Sequence, residues 1–243
     1  MKLGLEGRLT IVTGGAQGIG AAIAEGFAGE GAAVLLVDLE SSVSVVADRL
    51  DGRSLVCDLA DPIAAELVAA TAAEHGGASV LINNAGISKP APVSDTTHDD
   101  WEAVMNVNAS AGFRLIRGLW PQLAANSGAV INITSFAAKR ATLFGNNASY
   151  VASKHALAGL TRAAALDGAK DGVRVNGIAP GVVDTDLVKL HDEATRQRIM
   201  AMIPQSRFAD PSEIADLALF LASDRARHIC GEIININGGL YMD

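Results

Sequence analysis

Leu9-Thr10-Ile11-Val12-Thr13-Gly14-Gly15-Ala16-Gln17-Gly18-Ile19-Gly20 is the stretch on which the fold turns. An apolar run, 9–12, leads straight into a glycine-rich turn, and an alanine-rich segment, 19–30, follows at once. Glycines let a backbone turn tightly and approach a pyrophosphate, and the unpaired N–H groups of a helix that starts there carry partial positive charge. Thr13, Gly14, Gln17, Gly18, Ile19 and Gly20 are therefore candidate cofactor-binding residues. A glycine-rich turn alone is weak evidence, because a ligand-free tight turn uses the same residues. Its position between a strand and a helix gives it weight.

The next apolar run, 34–37, ends at Asp38, 18 residues after Gly20, with Leu39 beyond it. A carboxylate at this place can accept both hydroxyls of an adenosine ribose, and it repels a 2′-phosphate. No Arg or Lys stands at position 39 or within the glycine-rich turn, so NAD is expected rather than NADP. The bland alternative is a solvated acidic strand end. After the third run, Asp58 and its neighbour Leu59 are candidates for the adenine end.

Apolar runs recur at 9–12, 34–37, 54–57, 80–82, 130–133, 173–178 and 233–236. The first of them are nearly continuous in apolar residues, which suits strands covered on both faces. Between them, 19–30, 42–50, 62–75, 99–124, 150–169 and 211–222 are long enough for crossover helices, and Asp61-Pro62 and Asp210-Pro211 predict N-caps before a first-turn proline. The expectation is an α/β, Rossmann-like doubly wound fold with a seven-stranded parallel sheet flanked by helices. No linker or repeat divides the chain, so 1–243 reads as a single domain. The polar segment 184–208 is irregular in pattern and longer than an ordinary connection, as expected of a piece that covers a substrate.

Composition excludes several classes. Of 243 residues, 49% are hydrophobic, and 19 Lys+Arg against 27 Asp+Glu give a net charge of −8. That balance, without any basic run, argues against nucleic acid as a partner. No apolar stretch approaches the ~20 residues of a membrane span, and residues 1–8 lack the apolar core of a signal peptide, so a cytoplasmic location is expected. Cys57 and Cys230 have no CxxC partner and read as free thiols. His75, His98, His155, His191 and His228 form no HxxxH, so no metal is expected. Ser135 is not set in GxSxG, and no Walker lysine follows the glycine-rich turn, which argues against hydrolysis and phosphoryl transfer.

Tyr150 and Lys154 lie four apart in a helical segment and share a face. An ammonium near a phenol favours the phenolate and would bring the tyrosine pKa down from about 10 toward working pH. Thr13-Gly14-x-x-x-Gly18-x-Gly20, Asn83-Asn84-Ala85-Gly86 and Tyr150-x-x-x-Lys154 occur in that order, followed by Pro180-Gly181 and Asn237-Gly238-Gly239. Together they resemble the short-chain dehydrogenase/reductase family over almost the whole chain. The resemblance implies that Tyr150 exchanges the proton of the substrate oxygen and that Lys154 also holds the nicotinamide ribose. It makes Ser135 the serine that hydrogen-bonds the substrate oxygen, with Thr134 and Ala137 as competing alignments. The spacing from Ser135 to Tyr150, 15 residues, exceeds the family pattern and predicts a longer loop within 139–147. Asn108 resembles the asparagine that supports a proton-relay water, with Asn106 as the alternative. Asn83, Asn84, Ala85 and Gly86 are implied to line the cofactor cleft, and Pro180, Gly181, Val183 and above all Thr185 to receive the nicotinamide carboxamide. Family members commonly form tetramers through the helices expected at 99–124 and 150–169, so a homo-oligomer is implied.

The resulting expectation is an NAD-dependent oxidoreductase that moves hydride between the cofactor and a secondary alcohol or ketone. Lys89, Lys139 and Arg140 adjoin the cleft motifs, which suggests a small polar substrate such as a polyol, sugar or hydroxy acid. Two rivals stand beside it: a 3-oxoacyl-thioester reductase of the same family, and a dinucleotide-binding sensor without turnover. Asp38 and the acidic balance argue against the first, and the intact Tyr150, Lys154 and Ser135 against the second.

Overall fold

Strand residues that are apolar on both sides can be dry only if helices cover both faces of the sheet. The computed structural model describes residues 3–142, 145–189 and 192–242 and has this arrangement. Strands β1 (Leu9–Thr13), β2 (Ala33–Asp38), β3 (Arg53–Val56), β4 (Ala78–Asn83), β5 (Ala129–Ile133), β6 (Arg174–Pro180) and β7 (Ile233–Ile236) form one parallel sheet in the order β3-β2-β1-β4-β5-β6-β7. Val12, Leu36, Ile82 and Ile131 point to one buried face, their neighbours Ile11, Leu35, Leu81 and Val130 to the other. Strand order reverses between β1 and β4, where doubly wound sheets open a crevice at the carboxyl ends of their strands.

On the first face lie α1 (Gly18–Gly29), α2 (Val43–Arg49) and α9 (Pro211–Ala222). Gly26 of α1 permits close approach to α9, since a Cβ there would sit 3.2 Å from a Leu219 methyl. The second face carries α3 (Ala64–Ala73), α5 (Ala111–Ala125) and α6 (Ala148–Asp171). Asp210 caps α9 in a full capping box with Glu213, as the Asp-Pro signal predicts.

Three expectations change. The helix expected at 99–124 is two, α4 (His98–Met105) and α5, joined by a π-helical turn over Asn106–Ser110. Its asparagines bond outward: Asn106 donates to the Ala60 carbonyl and Asn108 to that of Ile87, which favours a widened turn. Asp61-Pro62 does not cap α3 directly. The Asp61 carboxylate instead accepts the Ile63 N–H in a turn that precedes Ala64. The segment 184–208, irregular to the eye, contains α7 (Asp186–Lys189) and α8 (Glu193–Ala201). Ile199, Ile203 and Phe208 bury against one another there, with Val182, Val188 and Leu240 packed around them, and form a small core separate from the sheet. His191 lies outside the described residues, as do positions 143 and 144 of the loop expected within 139–147. Among the described residues no helix is long and apolar enough to cross a membrane.

One partly buried cation ties the far end of the sheet to α9. Arg174 donates to the carbonyls of Leu221 (2.6 Å), Ala222 (3.1 Å), Ser223 (3.2 Å) and Ala226 (3.2 Å), so it satisfies the end of a helix whose last carbonyls have no helical partner. Arg174→Met is expected to remove about 2–3 kcal/mol of stability, the usual result of leaving such groups unpaired. Thermal unfolding should then fall by several degrees, with catalytic constants at 25 °C little changed.

Candidate active site

The crevice is built on hydrogen bonds from side chains at the ends of β1 and β4 to each other's backbone. The Thr13 hydroxyl donates to the Ile82 carbonyl (3.1 Å) and accepts the N–H groups of Asn84 (2.9 Å) and Ala85 (3.1 Å). In return the Asn84 amide donates to the carbonyls of Thr13 (2.9 Å) and Gly14 (3.1 Å). Gly14 and Gly18 have φ of +66° and +56°, which only glycine adopts readily. A Cβ on Gly20 would lie 2.0 Å from the Gly14 carbonyl oxygen. Thr13 and Gly20 thus shape the turn from behind and do not line the cleft.

Two cavities of about 340 Å3 each share Ile19, Asn84, Gly86, Ile87 and Thr185 and so make one groove. Its first half is lined by Gly14, Gln17, Gly18, Asp38, Leu39, Asp58, Leu59 and Ala85. All but Ala85 are residues expected at the phosphate and adenosine end, and Ala85 was expected to line the cleft more generally. At the N-terminus of α1, Gln17 provides no side-chain cap and the first turn holds no acidic residue. Its leading N–H groups therefore suit a diphosphate. Asp38 closes this end: one carboxylate oxygen accepts the Ala16 N–H (2.9 Å), the other that of Glu40 (3.0 Å). Each oxygen keeps a further lone pair for a ribose hydroxyl.

Ser135, Tyr150, Lys154, Pro180, Gly181 and Val183 line the second half. Ser135 hydrogen-bonds Tyr150, and its own hydroxyl accepts the Ala137 N–H at 3.0 Å. The alternatives for this role are otherwise occupied. Thr134 donates to the Ile178 carbonyl (2.7 Å), and Ala137 is fully buried.

Lys154 is buried and donates to the Ile133 carbonyl (2.9 Å), with its Nζ 5.7 Å from the centre of the Tyr150 ring. The expected lowering of the tyrosine does not occur. Burial pushes the Tyr150 phenol above its ordinary value, against a smaller opposing effect of the Ser135 hydrogen bond. The same desolvation brings Lys154 down to about 8. Physically, two groups that each lose water resist charging, and at this separation burial outweighs their attraction.

Asn108 lies behind Gly86, where a Cβ would meet its Oδ1 at 3.3 Å and the Lys154 Nζ at 3.4 Å. Its side chain accepts the Ile87 N–H (2.8 Å) and donates to the Ile87 carbonyl (2.9 Å) and the Ser153 hydroxyl (3.0 Å). Asn106 faces the other way, toward Arg114 and Ala60. Asn83 is buried below the cleft and donates to Asn132 (2.8 Å), which joins β4 to β5.

Sequence reasoning missed Cys57, Ile87, Ser88, Phe136 and Val188, all of which line the groove. Cys57, Ile87, Ser88 and Phe136 stand within two positions of motif residues, a signal that was available. Val188 falls within the segment 184–208 expected to cover the substrate, but no pattern singles it out there. Two of the three cations thought to face the substrate are turned aside, Lys89 to Asp100 (2.6 Å) and Lys139 to the Ile233 carbonyl (3.1 Å), and the third, Arg140, is not among the residues that line the groove. No group of three or more potential metal ligands occurs among the described residues.

A sheet of this order with Ser135, Tyr150 and Lys154 at the mouth of its crevice defines a dinucleotide-dependent oxidoreductase architecture. The family model described as Enoyl-(Acyl carrier protein) reductase matches residues 14–241, and the chain belongs to the short-chain dehydrogenase/reductase family. It is 35% identical to the 3-oxoacyl-[acyl-carrier-protein] reductase FabG of Vibrio cholerae serotype O1 over 99% of this chain and 100% of that protein. To the D-threitol dehydrogenase of Mycolicibacterium smegmatis it is 38% identical, over 97% of this chain and 93% of that one. A Beutenbergia cavernae protein, provisionally assigned as an NAD(P)-dependent gluconate 5-dehydrogenase and crystallised with NADP at low occupancy, superposes with a TM-score of 0.93, 38% identity and 99% coverage of both chains.

Because the ammonium is the disfavoured form of Lys154 in the fold, it lowers stability below pH 8, and the penalty lifts as pH rises through about 8 toward 10.5. Lys154→Met is accordingly expected to unfold at a higher temperature than the native protein at pH 7, and the gap should close by pH 10. A gap that is constant with pH would contradict this placement of the lysine.

Proposed function

We propose that this protein is an NAD-dependent dehydrogenase of small, neutral, polyhydroxylated secondary alcohols and of the matching ketones. The observation that carries the reading is the character of the substrate end. Among the described residues that line it, Lys154 is the only charged side chain, and Ser135 and Tyr150 meet there in a hydrogen bond. An anionic substrate would lack a free partner. The polyol thus takes precedence over the hydroxy acid, and the D-threitol dehydrogenase relationship supports the same class.

When bound, the dinucleotide supplies the hydride acceptor or donor. Gly14, Gln17, Gly18 and Ile19 would hold its diphosphate, Asp38 and Leu39 its adenosine ribose, Asp58 and Leu59 its adenine, and Ala85, Gly86 and Thr185 its nicotinamide half. Ser135 holds the substrate oxygen, and Tyr150 takes its proton as the alcohol is oxidised or returns one as the ketone is reduced. Lys154 reaches the nicotinamide ribose and stabilises the phenolate once the site is assembled. Asn108 fixes the backbone at Ile87 and supports a relay water toward Lys154. The segment 184–208 covers the substrate, and Asp38 favours NAD over NADP. Copies of the chain associate through α5 and α6, whose Phe113 and Leu166 are exposed.

The 3-oxoacyl-thioester reductase is a second reading, supported by the full-length relationship to FabG. Against it stand Asp38 and the net charge of −8, which suits an acidic carrier protein poorly.

Tyr150→Phe should keep NADH binding, followed by cofactor fluorescence, and lose turnover by about 10²–10⁴, the usual reach of a general acid/base. Unchanged turnover would contradict the assignment. Asp38→Ala should shift the ratio of kcat/KM for NAD over NADP toward NADP by at least about tenfold, as removal of a charge beside a phosphate predicts. An unchanged ratio would remove the basis for NAD.

A further inference from the structure

The substrate half of the groove contains one polar side chain with no assigned task. Thr134 is committed to Ile178, Asn84 to the glycine-rich turn, and Ser135, Tyr150 and Lys154 to the chemistry. Thr185 belongs to the cofactor. Among the described residues that line this half, Ser88 is the remaining one, and its other lining is largely apolar: Ile87, Phe136, Val182 and Val188.

Ser88 stands exposed at the edge of the groove, but its hydroxyl is held in place. Asn147, immediately before α6, donates its side-chain amide to the Ser88 oxygen at 2.8 Å. The two loops also meet through a bridge between Ala91 and Asn147. Asn147 occupies the N-cap position of α6, the helix of Tyr150, yet its side chain makes no capping bond. Its other amide atom, Oδ1, is buried and has no partner among the described residues. An N-cap asparagine ordinarily stabilises its own helix. Here that contribution is given up, and the amide crosses to Ser88 instead. With its oxygen accepting from Asn147, the Ser88 hydroxyl has its hydrogen left to donate into the groove.

We propose that Ser88, oriented by Asn147, is a specificity-determining residue that hydrogen-bonds a hydroxyl on the carbon next to the one oxidised. The substrate class is then a vicinal diol, or an α-hydroxy ketone in the reverse direction. The inference rests on the secondary-alcohol reading above and narrows it. A simple secondary alcohol fills the same apolar surroundings but leaves the Ser88 hydroxyl unpaired, and a site built around a polar contact discriminates against such an analogue.

The test compares kcat/KM for butane-2,3-diol and butan-2-ol in the native enzyme, Ser88→Ala, Ser88→Thr and Asn147→Ala, with NAD and NADP each at saturation. The native enzyme should prefer the diol. Ser88→Ala should reduce that preference about tenfold, mainly through KM, as loss of one hydrogen bond predicts. Ser88→Thr, which keeps the hydroxyl, should retain most of it, and Asn147→Ala should lose an intermediate share. The ratio is internal to each variant, so a general loss of activity does not imitate the result. A diol preference that is absent in the native enzyme, or unmoved in Ser88→Ala, overturns the proposal while leaving the dehydrogenase reading intact. Failure of the native enzyme to oxidise either alcohol with either cofactor contradicts both.

Discussion

The hydrogen bonds between Thr13 and Asn84 are the constraint from which the rest of the site follows. β1 and β4 are neighbours in the sheet although two strands and three helical crossovers separate them in sequence, and their following turns diverge to opposite sides. Left to itself, such a switch point is an open crevice. Thr13 and Asn84 fix its width by bonding each turn to the other's backbone. Gly14 and Gly20 then have to be glycines because the Asn84 amide and the Gly14 carbonyl occupy the space that side chains would need. The helix N-terminus, Asp38 and the motif 83–86 all take their positions from that crossing.

At the other end of the groove the balance is electrostatic. Lys154 and Tyr150 share a helical face, so their attraction was anticipated, but both are deeply desolvated and each resists ionisation. A site of this kind holds its proton until substrate and cofactor complete its surroundings. Ser135 supplies the hydrogen bond that already favours the phenolate. Burial therefore sets the resting state, and hydrogen bonding sets the direction in which it shifts.

The architecture was legible because strands buried on both faces are nearly continuous in apolar residues, as β1, β2 and β4 are, and because helix-length segments separate the seven runs. The places of Gly14, Gly18, Asp38, Ser135, Tyr150 and Lys154 along the groove were legible too, since each stands in a motif at the carboxyl end of a strand or on the helix after it. What escaped was set by tertiary contact. The break between α4 and α5 arises from asparagines that bond to Ala60 and Ile87, neither of which is near in sequence. The partners of Lys89 and Lys139, Asp100 and the Ile233 carbonyl, could not be inferred from adjacency to motifs. The small core of Ile199, Ile203 and Phe208 has no helical or strand period, because its residues come from a short helix and the coil after it.

The central claim is that this groove oxidises a neutral secondary alcohol with NAD. Initial rates of reduced-cofactor formation, followed at near-ultraviolet wavelengths with NAD and separately with NADP, test it most directly. The panel should include polyols, sugars, hydroxy acids, simple secondary alcohols and 3-hydroxyacyl thioesters. The account predicts turnover of the polyols and sugars, faster with NAD than with NADP. Preferred turnover of the 3-hydroxyacyl thioesters with NADP would contradict it.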